Sequence, residues 1–306
     1  MKKIVVLGGG GFIGGHLSKR LKEEGNHVRI CDIKKHQYFY QDEICDEFIL
    51  GDLTDPKVVN LVIEENVDEV YQLASISNKN DTNLIHNSVI INLNVSKECV
   101  NKKVKKVLYS SSDYEENSEY GWEKLFSEKM FLSYHRNYGL NVRIARLHNI
   151  FGPQGDWKMD IEKSPSVICG KVIKSKNEDI IEMWGDDKQT HSFLYVEECV
   201  EKILQLMESN FTDPVNIRSE ELITINQLTE IITNISRKNS NSKLYRENFE
   251  WEVSQPFVTE LTKIYFWIKS QIDILESETK WIYESPDNGT TVFKREPMST
   301  TRIKIK

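Results

Sequence analysis

The chain has 306 residues, of which 39% are hydrophobic and 28% are charged, and its formal net charge at pH 7 is −7. This composition excludes an intrinsically disordered chain and a membrane-embedded one, and the length suffices for one large domain or two coupled ones. The acidic balance argues against a broad nucleic-acid surface, although the last residues are locally basic.

The first half of the chain alternates short apolar runs with amphipathic segments. Asp55 followed by Pro56 marks one helix start, with a capping residue before proline at the first helical position. Strands are predicted at 3–7, 27–32, 46–50, 67–73, 104–111 and 141–147, and helices at 12–24, 56–65, 82–102 and 118–138. Strands alternating with helices predict an α/β protein with a Rossmann-type, doubly wound parallel sheet.

The rhythm becomes irregular after residue 150. Helices are predicted near 164–175, 197–208, 224–237 and 257–273, and short strands near 180–184, 191–196 and 214–217. From about 284 the chain is polar, and Asn288-Gly289 is a turn signal, so we expect a hairpin or a loose tail there.

A glycine-rich loop follows the first strand, in the segment GGGGFIG. Gly8, Gly11 and Gly14 have the spacing of a dinucleotide-binding loop: the first allows a tight turn, the second lets a pyrophosphate approach the backbone, and the third permits close helix packing. Phe12 and Ile13 then open the first helix, whose unpaired N–H groups would face the phosphates. The context of strand, loop and helix is the one that this motif requires.

Acidic residues end the next two strands. Asp32 would accept hydrogen bonds from the adenosine ribose, which favours NAD over NADP, although Lys34 and Lys35 weaken that preference. Asp52 and Leu53 follow the third strand and are candidates for holding the adenine ring. The predicted cofactor is therefore NAD.

The segment SSSDYEENSEYGWEK holds a candidate catalytic group. Tyr120 and Lys124 are four residues apart and share one face of the predicted helix, and Ser111 and Ser112 lie just upstream at the end of a strand. Serine, tyrosine and lysine in this order can perform hydride transfer.

With these residues in place, the chain resembles the extended short-chain dehydrogenase/reductases. Within them it resembles the NAD-dependent epimerase/dehydratase family, and most closely its GDP-mannose 3,5-epimerase branch. Residues 141–200 carry most of the likeness, and the segment WKMDIEKSP is specific to that branch. The likeness covers roughly residues 3–273 and leaves out the tail.

The resemblance implies a chemical mechanism. Tyr120 would remove the proton from a sugar C4 hydroxyl that Ser111 or Ser112 positions, while Lys124 holds the nicotinamide ribose. The hydride would pass to NAD and leave a 4-ketone, which acidifies C3 and C5 so that an acid–base pair can invert them. Lys124 and the nicotinamide charge should lower the pKa of Tyr120 from its usual value of about 10.

The resemblance also implies residues for the second stage and for the substrate. Lys163 matches the acid–base lysine, although a solvated surface lysine is the alternative. Tyr114 stands where the family has a catalytic cysteine; in a 4,6-dehydratase, Asp113 would be the acid instead. The residues that match substrate-contacting positions are Asn149, Glu162, Lys163, Lys171, Gln189 and His191.

Three functions stay open at this point. The first is an NAD-dependent nucleotide-sugar epimerase, with a GDP-hexose favoured as substrate. The second is a nucleotide-sugar 4,6-dehydratase or 4-reductase of the same family. The third is an NAD-binding protein without turnover, because the family cysteine, much of the loop before Tyr120 and the arginines that clamp the diphosphate are missing.

Organisation and partners complete the expectations. We expect an NAD-binding domain at 1–165, to which 185–210 returns, a substrate-binding domain at 166–283 and a tail at 284–306. Five scattered cysteines without a CxxC pair predict reduced thiols, no metal site and a cytoplasmic protein. No run is long enough to cross a membrane. The resemblance implies a homodimer that pairs helices 82–102 and 118–138.

Overall fold

The computed structural model describes residues 1–76, 82–112, 118–158, 164–175, 189–236, 254–279, 282–284, 291, 293–295 and 303–304. The chain forms two compact units, one of Met1–Asp156 with Lys188–Ile225 and one of Trp157–Asp187 with Asn226–Lys306. The assignment of cofactor binding and substrate binding to separate domains stays a prediction.

The helices in chain order are α1 (Phe12–Glu23), α2 (Gln41–Ile44), α3 (Pro56–Val62), α4 (Leu84–Asn101), α5 (Glu119–Tyr138), α6 (Pro165–Lys174), α7 (Val196–Glu208), α8 (Ile225–Ser236) and α9 (Gln255–Thr279). The strands are β1 (Lys3–Leu7), β2 (His27–Asp32), β3 (Glu47–Leu50), β4 (Glu69–Gln72), β5 (Lys106–Ser112), β6 (Val142–Leu147), β7 (Ile150–Phe151), β8 (Thr190–Ser192), β9 (Leu194–Tyr195), β10 (Val215–Ile217), β11 (Leu222–Thr224), β12 (Ile282–Glu284), β13 (Phe293–Arg295) and β14 (Ile303–Lys304). None of the helices in the described ranges is both long and apolar enough to cross a membrane.

Seven parallel strands form the central sheet of the first unit, in the order β10-β6-β5-β4-β1-β2-β3. The predicted doubly wound sheet is thereby confirmed. The strand order reverses between β1 and β4, because the chain leaves these two strands toward opposite sides of the sheet. Open α/β sheets bind their ligands at such a reversal, outside the carboxyl ends of the strands. Gly8 follows β1 there, and Leu73 and Ala74 follow β4.

Two apolar cores cover the two faces of this sheet. One packs α3, α4 and α5 against it, around residues such as Val70, Val95 and Phe131. The other packs α1 and α7 against the opposite face, around residues such as Leu17 and Ile203. Since both faces are covered, the strands are apolar along most of their length, as expected for buried parallel strands.

Several predicted elements have different bounds. The strand expected at 191–196 is two short strands, β8 and β9, which pair with different partners, β11 and β7. The last predicted helix is longer, Gln255–Thr279, and the tail contains a three-stranded antiparallel sheet rather than a single hairpin. The strand predicted near 180–184 lies outside the described residues.

Candidate active site

The glycine loop forms the tight connection from β1 to α1. Gly8 has a positive φ of 87°, which glycine adopts without strain, and a Cβ there would lie 2.7 Å from the backbone nitrogen of Ala74. A Cβ on Gly14 would lie 2.2 Å from the carbonyl oxygen of Gly8. Gly11 precedes α1 and has no side chain with which to cap it, so the first N–H groups of the helix are left for an anion.

Asp32 closes this loop from the side of β2. Its Oδ2 accepts from the backbone N–H of Gly10 over 2.9 Å, and its Oδ1 accepts from that of Lys34 over 3.1 Å. Burial raises the pKa of Asp32, and the two backbone N–H donors counteract that rise. The carboxylate fits the adenosine ribose of NAD, and the glycine loop with the N-terminus of α1 fits its pyrophosphate.

The turn after β3 is fixed to α4. Asn94 donates from Nδ2 to the carbonyl oxygens of Leu53 and Thr54 over 3.1 and 3.0 Å. Asp52 accepts from the N–H of Thr54 through its own side chain, over 2.9 Å, and the Leu53 side chain is buried in the core. Contact of Asp52 and Leu53 with adenine stays a prediction.

Tyr120 lies in the first turn of α5. Ser118 caps this helix, since its Oγ accepts from the N–H of Gly121 over 3.0 Å. One turn later, Lys124 is buried with 2% of its surface exposed, and its Nζ donates to the carbonyl oxygen of Ser110 over 3.3 Å. Nζ also lies 5.5 Å from the ring centroid of Tyr120. The sequence pattern therefore brings β5 and both α5 residues together.

In the protein without its cofactor the pKa of Tyr120 is raised, and the expected fall beside bound NAD stays a prediction. Burial raises the pKa of Tyr120 to about 12, and the negative charge of Glu123 adds to this rise. Lys124 lies over the face of the phenol ring while its Nζ bonds to Ser110. The sequence argument counted the positive charge one turn away and missed both the desolvation and the adjacent carboxylate.

The two serines end β5 beside this pair. Ser111 is buried, and its Oγ has no hydrogen-bond partner among the residues that the structure describes. A buried hydroxyl without a partner is unfavourable by about 1–3 kcal/mol, which a ligand hydroxyl would relieve. Ser112, one residue on, is half-buried and closes the β5–β6 ladder opposite Leu147.

The predicted substrate residues fall in different places. Asn149 has a positive φ of 40°, and its Nδ2 donates to the carbonyl oxygen of Ser192, so it is tied to the segment that carries Gln189 and His191. Lys171 lies on α6, in the second unit. The remaining candidates, Glu162, Lys163 and Tyr114, lie outside the described residues.

Sequence reasoning missed Glu123. It is the residue before Lys124, and neighbouring positions on a helix do not face each other, so the spacing gave no signal. In the structure Glu123 is 1% exposed, accepts from Asn92 and Ser127, and lies 4.0 Å from the Nζ of Lys124.

The amino-acid sequence is similar to those of known proteins. Residues 4–217 match the sequence profile of the NAD dependent epimerase/dehydratase family. GDP-mannose 3,5-epimerase of Arabidopsis thaliana is 34% identical over 318 residues, which cover 89% of this chain and 83% of that protein. UDP-glucuronic acid decarboxylase 2 of the same plant is 27% identical over 297 residues, covering 87% of this chain and 64% of that protein.

Solved structures share the fold. UDP-glucose 4-epimerase of Thermotoga maritima, determined with UDP-glucose, superposes with a TM-score of 0.72 at 20% identity, covering 88% of this chain and 99% of that chain. At this identity the likeness concerns the fold alone.

Proposed function

This chain belongs to the NAD dependent epimerase/dehydratase family, and we propose that it is a nucleotide-sugar epimerase that acts on a GDP-hexose in the manner of the GDP-mannose 3,5-epimerases. As a member of that family it is an NAD-dependent enzyme of nucleotide-sugar chemistry. The identity of 34% to GDP-mannose 3,5-epimerase over most of both chains supports the finer assignment.

One observation carries the proposal: Lys124 links the end of β5 to the phenol of Tyr120. NAD, when bound, supplies a reversible hydride acceptor. Tyr120 takes the proton of the sugar C4 hydroxyl. Ser111 Oγ, which has no hydrogen-bond partner among the described residues, donates to the same oxygen. Lys124, as a buried ammonium, stabilises the phenolate that has to form. The product of this stage is a 4-keto sugar.

Proton exchange at C3 and C5 is the second stage. A 4-ketone acidifies both neighbouring C–H bonds, so a base and an acid on opposite sides of the ring suffice for inversion. Lys163 and Tyr114 are our candidates for these roles, by resemblance. Tyr120 then gives its proton back to the C4 oxygen, and the hydride that the bound cofactor would hold reduces the ketone.

A panel experiment tests the assignment. Purified protein is incubated with NAD and with GDP-, UDP-, dTDP- and CDP-hexoses in heavy water, and the sugars are analysed by mass spectrometry and NMR. Deuterium at C3 or C5 of the GDP-hexose is the expected result, and it should be absent with Tyr120→Phe. Loss of the C6 hydroxyl would show a 4,6-dehydratase, and tight NAD binding without exchange in any sugar would show a binding protein.

We also propose a homodimer formed by α4 and α5. Trp122 and Phe126, one turn apart on α5, are 65% and 54% exposed, and Ile85 and Leu93 are exposed on α4. Large apolar side chains exposed in rows on two adjacent helices are typical of an interface. A second copy is the occupant because the family resemblance pairs these helices.

Sedimentation equilibrium at micromolar concentration should give the mass of a dimer, and Phe126→Glu should shift it toward the monomer. Phe211→Glu is the matched control, since Phe211 is 68% exposed but lies outside α4 and α5. A wild-type monomer, or equal effects of the two variants, would contradict this interface.

The five cysteines are all free and buried, as expected, which fits the proposed location in the reducing cytoplasm.

A further inference from the structure

A chain of buried polar side chains joins the end of β4 to α5 by way of α4. Gln72 donates from Nε2 to Asn92 Oδ1 over 2.8 Å. Asn92 donates from Nδ2 to Glu123 Oε1 and Ser127 Oγ over 3.2 and 2.9 Å, and Ser127 donates to the same Glu123 oxygen over 2.7 Å. Two donors therefore fix one carboxylate oxygen of Glu123 in the interior. We call these four residues the Glu123 cluster.

The other carboxylate oxygen faces a charge instead of a donor. Glu123 Oε2 is buried without a hydrogen-bond partner in the part of the chain that the structure describes, and it lies 4.0 Å from Lys124 Nζ. The two side chains are 0% and 3% exposed. A buried ammonium is strongly disfavoured unless an opposite charge and hydrogen bonds compensate it. Its hydrogen bond to the carbonyl oxygen of Ser110 supplies only a neutral acceptor.

We propose that Glu123 is a positioning residue: its carboxylate is the counter-ion that keeps Lys124 protonated inside the fold and holds it at the end of β5. The use of Lys124 in catalysis rests on the proposed function, but the ion pair does not. The other members of the Glu123 cluster hold the carboxylate in place, and it is the charge of Glu123, a residue that we assign no contact with substrate or cofactor, on which Lys124 depends.

Among the residues that the structure describes, the other titratable groups near the pair do not supply this charge. Tyr109 on β5 and Tyr120 on α5 present their rings to Lys124 Nζ, with centroids at 5.3 and 5.5 Å. Glu128, the other buried carboxylate of α5, accepts from Arg146 on β6 through two bonds of 2.8 Å.

The carboxylate acts in opposite directions on its neighbours. Burial lowers the pKa of Lys124, and Glu123 raises it. Burial raises the pKa values of Tyr109 and Tyr120, and Glu123 raises them further. The pKa of Lys124 is lowered overall, so Glu123 offsets part of the effect of burial. The charge of Glu123 therefore favours the ammonium form of Lys124 and the protonated form of both phenols.

The titration of Lys124 tests the inference directly. In protein labelled with ε-13C lysine, the Lys124 signal is assigned by its loss in Lys124→Arg, and its pKa is measured by NMR without NAD. Glu123→Gln keeps the size and the acceptor for Asn92 and Ser127 but removes the charge. It should lower the pKa of Lys124 by about one to three pH units, the effect of an opposite charge at this distance. Ser127→Ala, which removes a hydrogen bond but no charge, should leave that pKa close to wild type.

Two results would overturn the role of Glu123: an unchanged Lys124 pKa in Glu123→Gln, or an equal fall in Ser127→Ala. If Glu123→Gln does not fold, Glu123→Asp is used instead, because it keeps the charge but shortens the side chain by one methylene. The pKa of Lys124 should then fall by less than expected for Glu123→Gln. An unchanged pKa in Glu123→Asp would equally reject the proposal. The high-pH limit of sugar oxidation should move down with the Lys124 pKa. An absence of any sugar turnover would reject the proposed function and leave the titration standing.

Discussion

Replacement of Gly14 by alanine should separate the two tasks of the glycine loop. Gly14 lies in the first turn of α1, against the backbone that leaves β1. A Cβ there would lie 2.2 Å from the carbonyl oxygen of Gly8 and 2.8 Å from the Cα of Gly9, whereas ordinary contacts of this kind begin at 3.4 Å. The obstacles are backbone atoms that no rotamer change removes. The helix must therefore retreat from the loop by roughly 1 Å.

This retreat has two measurable consequences. Overpacking of this kind destabilises by about 1–3 kcal/mol. At about 2–4 °C per kcal/mol for a unit of this size, the melting temperature without NAD should fall by roughly 4–8 °C for a loss near 2 kcal/mol. NAD binding should weaken by about 100-fold, since a displaced helix N-terminus loses two hydrogen bonds to phosphate worth about 1.5 kcal/mol each.

Gly11→Ala is the control in the same loop. Its Cβ would lie 3.3 Å from the Gly8 oxygen, and Gly11 has a φ of −88°, which alanine adopts freely. Its melting temperature should stay near that of wild type, while NAD binding weakens because the methyl group occupies the approach of the phosphate. Thermal unfolding by circular dichroism and calorimetric titration with NAD measure both quantities. Wild-type stability in Gly14→Ala, or an equal loss of stability in Gly11→Ala, would refute the packing argument.

Three further outcomes are expected. Tyr120→Phe should reduce sugar oxidation by about 10³-fold at unchanged melting temperature, measured as NADH formed in a single turnover; a loss below tenfold would remove Tyr120 as the base. His36 Nδ1 accepts from two backbone N–H groups over 3.1 and 3.0 Å, and burial lowers its pKa to about 4 from 6.5. As the pH falls, the unfolded chain therefore protonates His36 before the folded protein does. The urea midpoint should fall between pH 6.5 and pH 4 for this reason. It should fall less in His36→Asn, whose amide oxygen can accept the same hydrogen bonds without titrating. Arg146→Ala removes two hydrogen bonds of 2.8 Å and the opposite charge from the buried Glu128 carboxylate. It should destabilise the protein by about 3–5 kcal/mol in urea unfolding, whereas Arg146→Lys should lose less; equal losses would show that charge pairing is not the cause.

The sheet could be predicted because each long strand is a short apolar run between polar breakers. The cap at Asp55 was also readable, and the structure confirms it, since its Oδ1 accepts from the N–H of Lys57 over 2.8 Å. The strands β7, β8, β9 and β11 have only two or three residues each, too few for an alternation to show. Their pairing is set by the loops that bring them together, and those contacts are distant in sequence.

The parts of the candidate site that depend on local sequence motifs could be predicted. Glycine spacing and the acid at the end of β2 predicted a loop that the structure shows between β1 and α1, with Asp32 beside it. The four-residue spacing predicted that Tyr120 and Lys124 lie close together, as they do. The rise in the pKa of Tyr120 without the cofactor could not be predicted, because it depends on burial and on Glu123, and neither is visible in spacing. Burial of a charged pair is set by the elements that cover it, here α4 and β5.

Helix α5 reverses the usual arrangement of polar and apolar residues, and this reversal links the two proposals about it. It buries Glu123 and Lys124 and exposes Trp122 and Phe126. A rotation of the helix would bury the aromatic rings and hydrate the charges, which is the arrangement that burial energies favour in an isolated domain. Phe131, which stacks on Tyr109 of β5 with ring centroids 4.7 Å apart, opposes that rotation, as does the Glu123 cluster. Breaks in local pattern of this kind are expected where a function requires them. Our two proposals account for both features of this helix rotation, the buried charges by chemistry at the end of β5 and the exposed rings by a second copy of the chain.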